Sequence, residues 1–199
     1  MENFLVVVVA YFIGSIPNGL ILGKLIWKID LRDHGSKNIG ATNAYRIIGV
    51  KPAIVIFSMD LLKGMLGVLF GYYFIGTPFA MILGGISAIV GHNWSILLRF
   101  TGGKGVATGL GVITMLMPKV TVIVFTIWLV IVYFTKYVSL ASIIAATMVP
   151  ICAYYFGVPG EYLYFSILAA CFIIYRHKSN IQRLIRGNES KIKAGNLNK

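Results

Sequence analysis

The chain alternates between long apolar stretches and short polar segments rich in glycine. Residues 4 to 23 carry no charge, and further apolar stretches run over 53 to 75, 78 to 98, 105 to 118, 120 to 135, 138 to 156 and 160 to 176, each bounded by Pro, Gly or charge. A helix needs about 20 apolar residues to cross a hydrocarbon layer of ~30 Å. The pattern therefore predicts an all-α integral membrane protein, a compact bundle of about seven transmembrane helices. The fourth and fifth stretches are short, which leaves five full spans with two shallow or tilted segments as the competing count. The Met-Glu-Asn before the first stretch lacks the positive region of a cleaved signal peptide, so that stretch reads as an uncleaved span. Residues 1–187 form one membrane domain in this reading, and 188–199 a polar, mobile tail.

Composition agrees. Hydrophobic residues make up 58% of the 199 and charged residues 12%, with a mean hydropathy of +0.83, more apolar surface than one water-soluble core can hide. The charge is lopsided, with 18 Lys and Arg against 6 Asp and Glu, a net +12. In so apolar a chain this points to anionic headgroups and phosphorylated substrates and away from nucleic acid. With seven spans, Lys24, Lys28, Arg32, Lys37, Arg46, Lys51, Arg99, Lys104, Lys136 and the basic tail from Arg176 fall on one side, and Lys119 alone between spans on the other. The positive-inside bias then places the N-terminus outside and the C-terminus in the cytoplasm. Cys152 and Cys171 sit in apolar stretches without ligand spacing, so neither a disulfide framework nor a metal site is expected.

Three polar segments converge on the predicted cytoplasmic face. Asp30 to Lys51 holds Ser36, Asn38, Gly40, Thr42, Asn43 and Arg46, a loop able to wrap an anion. Thr42 or Asn43 is expected to cap a short helix that projects Arg46 one turn on. The second segment sets Lys104 between Gly102, Gly103 and Gly105 just before an apolar helix, where an N–H nest, the helix dipole and the ammonium would hold a phosphate together. Gly105 after the lysine breaks the nucleotide P-loop pattern, so ATP hydrolysis is not expected. The third, from Arg176, has helical periodicity that sets His177, Asn180 and Leu184 on one face, with Arg183 and Arg186 meeting headgroups and Gly187 stopping the helix. Asp60 and Lys63 lie one turn apart inside the second span and are expected to pair or face a polar cavity. Ser139 and Ser142 lie one turn apart at the start of the sixth, where each either reaches a phosphate or bonds its own helix. Gly19 with Gly23, and Gly67 with Gly71, have the spacing of close helix packing. No GxSxG, HExxH or CxxC motif and no carboxylate cluster occurs, which argues against hydrolase, zincin and metal-dependent phosphotransfer chemistry.

Taken in order, GSKNIGATNAYR, DLLKG, GHNWSILLRFTGGKGVAT, YVSLAS and HKSNIQRLIRGNE resemble the motifs of the acyl-phosphate-dependent glycerol-3-phosphate acyltransferases, the PlsY family, over nearly the whole chain. The HxxxxD arrangement of soluble and peripheral glycerolipid acyltransferases is absent. The resemblance implies a bacterial inner-membrane enzyme, active on the cytoplasmic face, that moves an acyl chain from acyl phosphate to the 1-hydroxyl of glycerol 3-phosphate, giving lysophosphatidic acid and phosphate, the first step of phospholipid synthesis. It implies catalytic roles for Lys104, Ser142, His177 and Asn180, and substrate or phosphate binding by Ser36, Asn38, Gly40, Thr42, Asn43, Arg46, Gly102, Gly103, Gly105, Thr108 and Ser139. Asp60, Lys63, His92, Arg183 and Glu189 would support the site. No metal, cofactor, nucleic acid or obligate protein partner is expected, and the protein is expected to act as a monomer among membrane lipids. Either a substrate phosphate or His177 would take the hydroxyl proton. A small transporter of phosphorylated anions is the alternative, disfavoured because no internal repeat with broken midplane helices is evident.

Overall fold

The computed structural model describes residues 1–193, and among these the regular structure is helical throughout. Ten α-helices follow in order: α1 (Glu2–Ser15), α2 (Asn18–Leu25), α3 (Ala41–Ile47), α4 (Val50–Phe74), α5 (Pro78–Asn93), α6 (Val106–Leu116), α7 (Pro118–Thr135), α8 (Val138–Tyr155), α9 (Gly160–Arg176) and α10 (Lys178–Ile185). Four segments are long and apolar enough to cross a membrane, namely α1 with α2, α4, α7 and α8, while α5 and α6 are shorter apolar helices. Large apolar side chains such as Phe4, Leu62, Leu66, Val130 and Leu168 lie exposed on the outer faces. That distribution suits a hydrocarbon solvent and would be costly in water.

The first apolar stretch is not one continuous helix. Pro17 has no N–H to donate and forces Ile16 into an extended conformation, with φ −60° and ψ 115°, so α1 stops and α2 restarts at Asn18. The break frees the Ile16 carbonyl, which accepts a hydrogen bond from Lys63 Nζ at 3.0 Å. Lys63 also pairs with Asp60 at 3.0 Å, and Asp60 accepts from Asn18 Nδ2 at 3.0 Å. The two intramembrane charges thus neutralise each other and satisfy the kink beside them.

α4 packs on α1, α5 and α6, while α7, α8 and α9 form a second group that meets the first chiefly through α5 and α6. Small residues bring the first group together: a Cβ on Gly84 would lie 2.0 Å from the Gly67 carbonyl oxygen, and one on Gly71 2.3 Å from that of Ala80. Gly19 and Gly23 do not meet another helix. They admit the carbonyls of Ile39 and Ile29, backbone of the loop that covers α2. The main apolar core runs through Val68, Ile89, Val112, Val124, Val149 and Phe165, and a second, around Leu31, Ala44, Ile48 and Ile56, seats α3 and its loop on α4. Replacing Lys63 by Met would leave Asp60 buried without its counter-charge, a loss of about 3–5 kcal/mol. Thermal unfolding in detergent is expected to show Lys63→Met well below both wild type and the double variant Asp60→Asn/Lys63→Met; unchanged unfolding of the single variant would rule the pair out as the support of the kink.

Candidate functional site

All three polar segments, with the start of α8, surround one cavity of about 950 Å³ at a single end of the bundle. The first wall is the loop before α3, and Asn43 organises it. Its side-chain amide donates to the carbonyls of Leu31, His34 and Asn38, and its Oδ1 accepts from Ser36 N–H at 2.9 Å. The expected capping role is therefore corrected. Thr42 and Asn43 lie inside α3, and extended Gly40 precedes it without any side-chain cap. Asn38 Oδ1 accepts from Gly40 N–H at 2.8 Å. With the loop folded in this way, Ser36, Asn38, Gly40, Thr42, Asn43 and Arg46 line the cavity. Arg46 donates from Nη2 to the Ser190 carbonyl at 2.9 Å and keeps a buried Nε without a partner.

The second wall is the turn into α6. Gly105, at φ +79°, starts the helix in a conformation that favours glycine. The expected nest is only partly formed, because Gly103 N–H donates to the His92 carbonyl at 3.1 Å. Gly102 and Gly103 instead permit tight packing on His92 and Asn93. The N–H groups of Val106, Ala107 and Thr108 open α6 without intrahelical partners, and Gly105, Val106 and Ala107 line the cavity beside Lys104. Thr108 is wholly buried, its hydroxyl unpartnered and away from the cavity wall.

The third and fourth walls meet at Glu189. Its Oε1 accepts from Ser139 Oγ and Asn180 Nδ2, both at 2.7 Å, and its Oε2 from Arg183 Nε at 2.7 Å. Asn180 Oδ1 in turn accepts from Lys104 Nζ. Burial raises the Glu189 carboxyl, but the hydrogen bonds outweigh it and the net direction is down. Arg183, expected at the headgroups and, from the resemblance, in support of the site, pairs with Glu189 at the cavity wall while its side chain stays 43% exposed. Gly187, at φ +69°, ends α10 as expected. The segment expected to be a tail from Asn188 is tied down in its first part: Glu189 is buried, and Ile192 N–H donates to the Lys136 carbonyl at 2.7 Å. Residues 194–199 lie outside the described residues.

His177 is buried at the junction of α9 and α10, with Nδ1 2.8 Å from the Ile173 carbonyl. This contact fixes the proton on Nδ1 and leaves the Nε2 lone pair free. Burial lowers its pKa to about 4. Ser142 donates to Val138 O at 2.8 Å and accepts from Trp128 Nε1 at 3.2 Å, so its hydroxyl serves its own helix first. Asp60 and His92 reach the inner wall, with His92 Nδ1 3.8 Å from Asp60 Oδ1.

Arg176 went unrecognised in the sequence, where it reads as the first cation of a basic tail. It lines the cavity, donates from Nη2 to the Gly103 carbonyl at 2.7 Å and lies 5.2 Å over the Trp94 ring. Its place directly before His177 was the available signal. Trp128 and Ser190 carried none. Among the described residues no group of three His, Cys, Asp or Glu side chains gathers to hold a metal.

The fold and site define an integral membrane protein with a cation-lined cavity at one end of a helical bundle. The chain belongs to the glycerol-3-phosphate acyltransferase family: the profile of that family, described as "Glycerol-3-phosphate acyltransferase", matches residues 4–187. It is 44% identical over 193 residues to a glycerol-3-phosphate acyltransferase of Fusobacterium nucleatum, covering 97% of this chain and 100% of the relative. It is 46% identical over 188 residues to glycerol-3-phosphate acyltransferase 2 of Moorella thermoacetica, covering 94% and 96%. Crystal structures of PlsY (YgiH), an integral membrane glycerol 3-phosphate acyltransferase, superpose with TM-scores of 0.91 for the glycerol 3-phosphate form and 0.89 for the lysophosphatidic acid form, at 37% and 36% identity. The first covers 97% of this chain and 96% of the neighbour, the second 96% and 95%.

Burial lowers the Lys104 pKa to about 8; Glu189 opposes the shift, and Arg183, Arg46 and Arg176 add to it. Lys104 therefore loses its charge as pH rises through about 8. Calorimetric binding of inorganic phosphate is expected to weaken across that pH in wild type, with the alkaline limb moved upward in Lys104→Arg, whose guanidinium stays charged. The same limb in both proteins would show that another group controls it.

Proposed function

We propose that the protein transfers an acyl chain from acyl phosphate to the 1-hydroxyl of glycerol 3-phosphate, giving lysophosphatidic acid and phosphate. The observation that carries this reading is a junction of two cavities. The polar one is lined by Arg46, Lys104, Arg176 and Arg183. An apolar groove between α6, α7, α8 and α9 shares Phe57, Val106, Trp128 and Ser142 with it. A donor with a phosphate head and a hydrocarbon tail fits that junction, and several cations around one space suit two phosphate-bearing substrates.

Attack of the glycerol 1-oxygen on the acyl carbon forms the ester bond. The bond from that carbon to the phosphate oxygen breaks, and phosphate leaves with the electron pair. Lys104, Arg46 and the N–H groups opening α6 stabilise charge on the carbonyl and the departing phosphate. Ser36, Ser142, His177 and Asn180 orient glycerol 3-phosphate, Ser142 by turning its hydroxyl away from Val138. The hydroxyl proton goes to a substrate phosphate oxygen. Support for this assignment comes from His177, whose depressed basicity makes it a weak general base at neutral pH.

The chain would cross the bacterial inner membrane seven times, through α1 with α2, α4, α5, α6, α7, α8 and α9, with its N-terminus outside and the site in the cytoplasm. The concentration of basic residues at the site end supports this orientation. The protein would act as a monomer without metal.

Purified protein given glycerol 3-phosphate with palmitoyl phosphate, palmitoyl-CoA or palmitoyl carrier protein, in EDTA throughout, tests the reading. Lysophosphatidic acid is expected from the acyl phosphate alone and is expected to be lost in Lys104→Ala; product from the thioesters, or from no donor, would overturn it. His177→Gln separates the proton acceptors. A loss of turnover below about 10-fold with weaker glycerol 3-phosphate binding is expected, whereas a turnover loss of roughly 100-fold or more at unchanged affinity would make His177 the base.

A further inference from the structure

On three of the helices that face the apolar groove small side chains line its middle, Gly109 from α6, Ala145 and Ala146 from α8, and Ala169 and Ala170 from α9, below a junction lined by Phe57, Val106 and Trp128. Ile113, Val149 and Phe165 line it further along these helices. Ser142 marks the upper level because it lines both cavities. Along α8, Ala146 lies four residues beyond it and Val149 seven. At the helical rise these are depths of roughly 6 and 10.5 Å.

We propose that Ala146 and Val149, one turn apart on the groove face of α8, determine the length of acyl tail that the enzyme accepts. This rests on the acyl-transfer reading of the adjoining cavity. An extended hydrocarbon advances about 1.3 Å per carbon, the projection of a ~1.5 Å bond at a tetrahedral angle. Ala146 therefore stands beside about the fifth carbon of the tail and Val149 beside about the eighth. A tail drawn from lipid exchanges one apolar surrounding for another, so hydrophobic burial contributes little to choosing among lengths. Steric room decides, and the small residues supply it.

The test is the kcat/KM profile of the purified full chain over butyryl, hexanoyl, dodecanoyl and hexadecanoyl phosphates. Ala146→Phe is expected to leave butyryl phosphate within about 3-fold of wild type and to reduce the three longer donors by at least about 10-fold. Val149→Phe is expected to spare hexanoyl phosphate also, so that the break in the profile moves outward by about three carbons between the two variants. Ala146→Val carries the same test with a smaller side chain should the Phe variant fail to fold. An equal loss at every length, the signature of simple destabilisation, would overturn the proposal, as would wild-type profiles in both variants. Failure of the acyl-transfer reading is distinguishable, because wild type would then make no lysophosphatidic acid from any of the four donors.

Discussion

One buried carboxylate holds the polar end of this bundle together. Arg46, Lys104, Arg176 and Arg183 face a common cavity, and like charges at the edge of a low-dielectric interior repel strongly unless an anion lies among them. Glu189 is that anion. It receives Ser139 from α8, Asn180 and Arg183 from α10 and, through Asn180, the ammonium of Lys104 ahead of α6. The same strap of chain carries the Ser190 carbonyl to Arg46 on α3. Elements far apart in the sequence are thereby fixed around one cation-lined space.

A second polar cluster does the corresponding work below it. Pro17 breaks the first helix, Lys63 satisfies the carbonyl that the break exposes, and Asp60 balances Lys63 while holding Asn18. Beside Asp60 stands His92, whose carbonyl receives the N–H of Gly103. On the other side Arg176 holds the Gly103 carbonyl. Gly103, immediately before Lys104, is thus held at its N–H from α5 and at its carbonyl from α9, and the position of that lysine depends on how these buried polar groups are satisfied.

The boundary between the polar cavity and the apolar groove suits the proposed chemistry. Trp128 and Ser142 face both the cation-lined cavity and the apolar groove, and the indole N–H donates to the serine hydroxyl at that boundary. An activated acyl carbon would lie at this level, with its phosphate among cations and its tail among Gly and Ala. With such a donor, much of the catalytic contribution would come from electrostatic preorganisation and placement.

The amino-acid sequence by itself determined the apolar helical stretches and the concentration of polar residues at one end, because hydropathy and charge act through local composition, but not the break of the first stretch at Pro17 or the end of α5 at Asn93. It also marked most of the cavity lining, from Ser36 and Arg46 to His177 and Asn180. Only the tertiary structure decided how these residues are used. Asn43 organises a loop instead of capping a helix, Gly103 gives its N–H to His92, Arg183 pairs with Glu189 and the chain after Asn188 reaches back to Arg46. Each of those outcomes depends on which partner satisfies a buried hydrogen-bonding group. Some of those partners stand only 5 to 12 residues away, as Leu31, His34 and Asn38 do from Asn43, and one, Ser190, stands 144 residues from Arg46; neither hydropathy nor helical periodicity says which of the nearby polar groups a folded loop will pair.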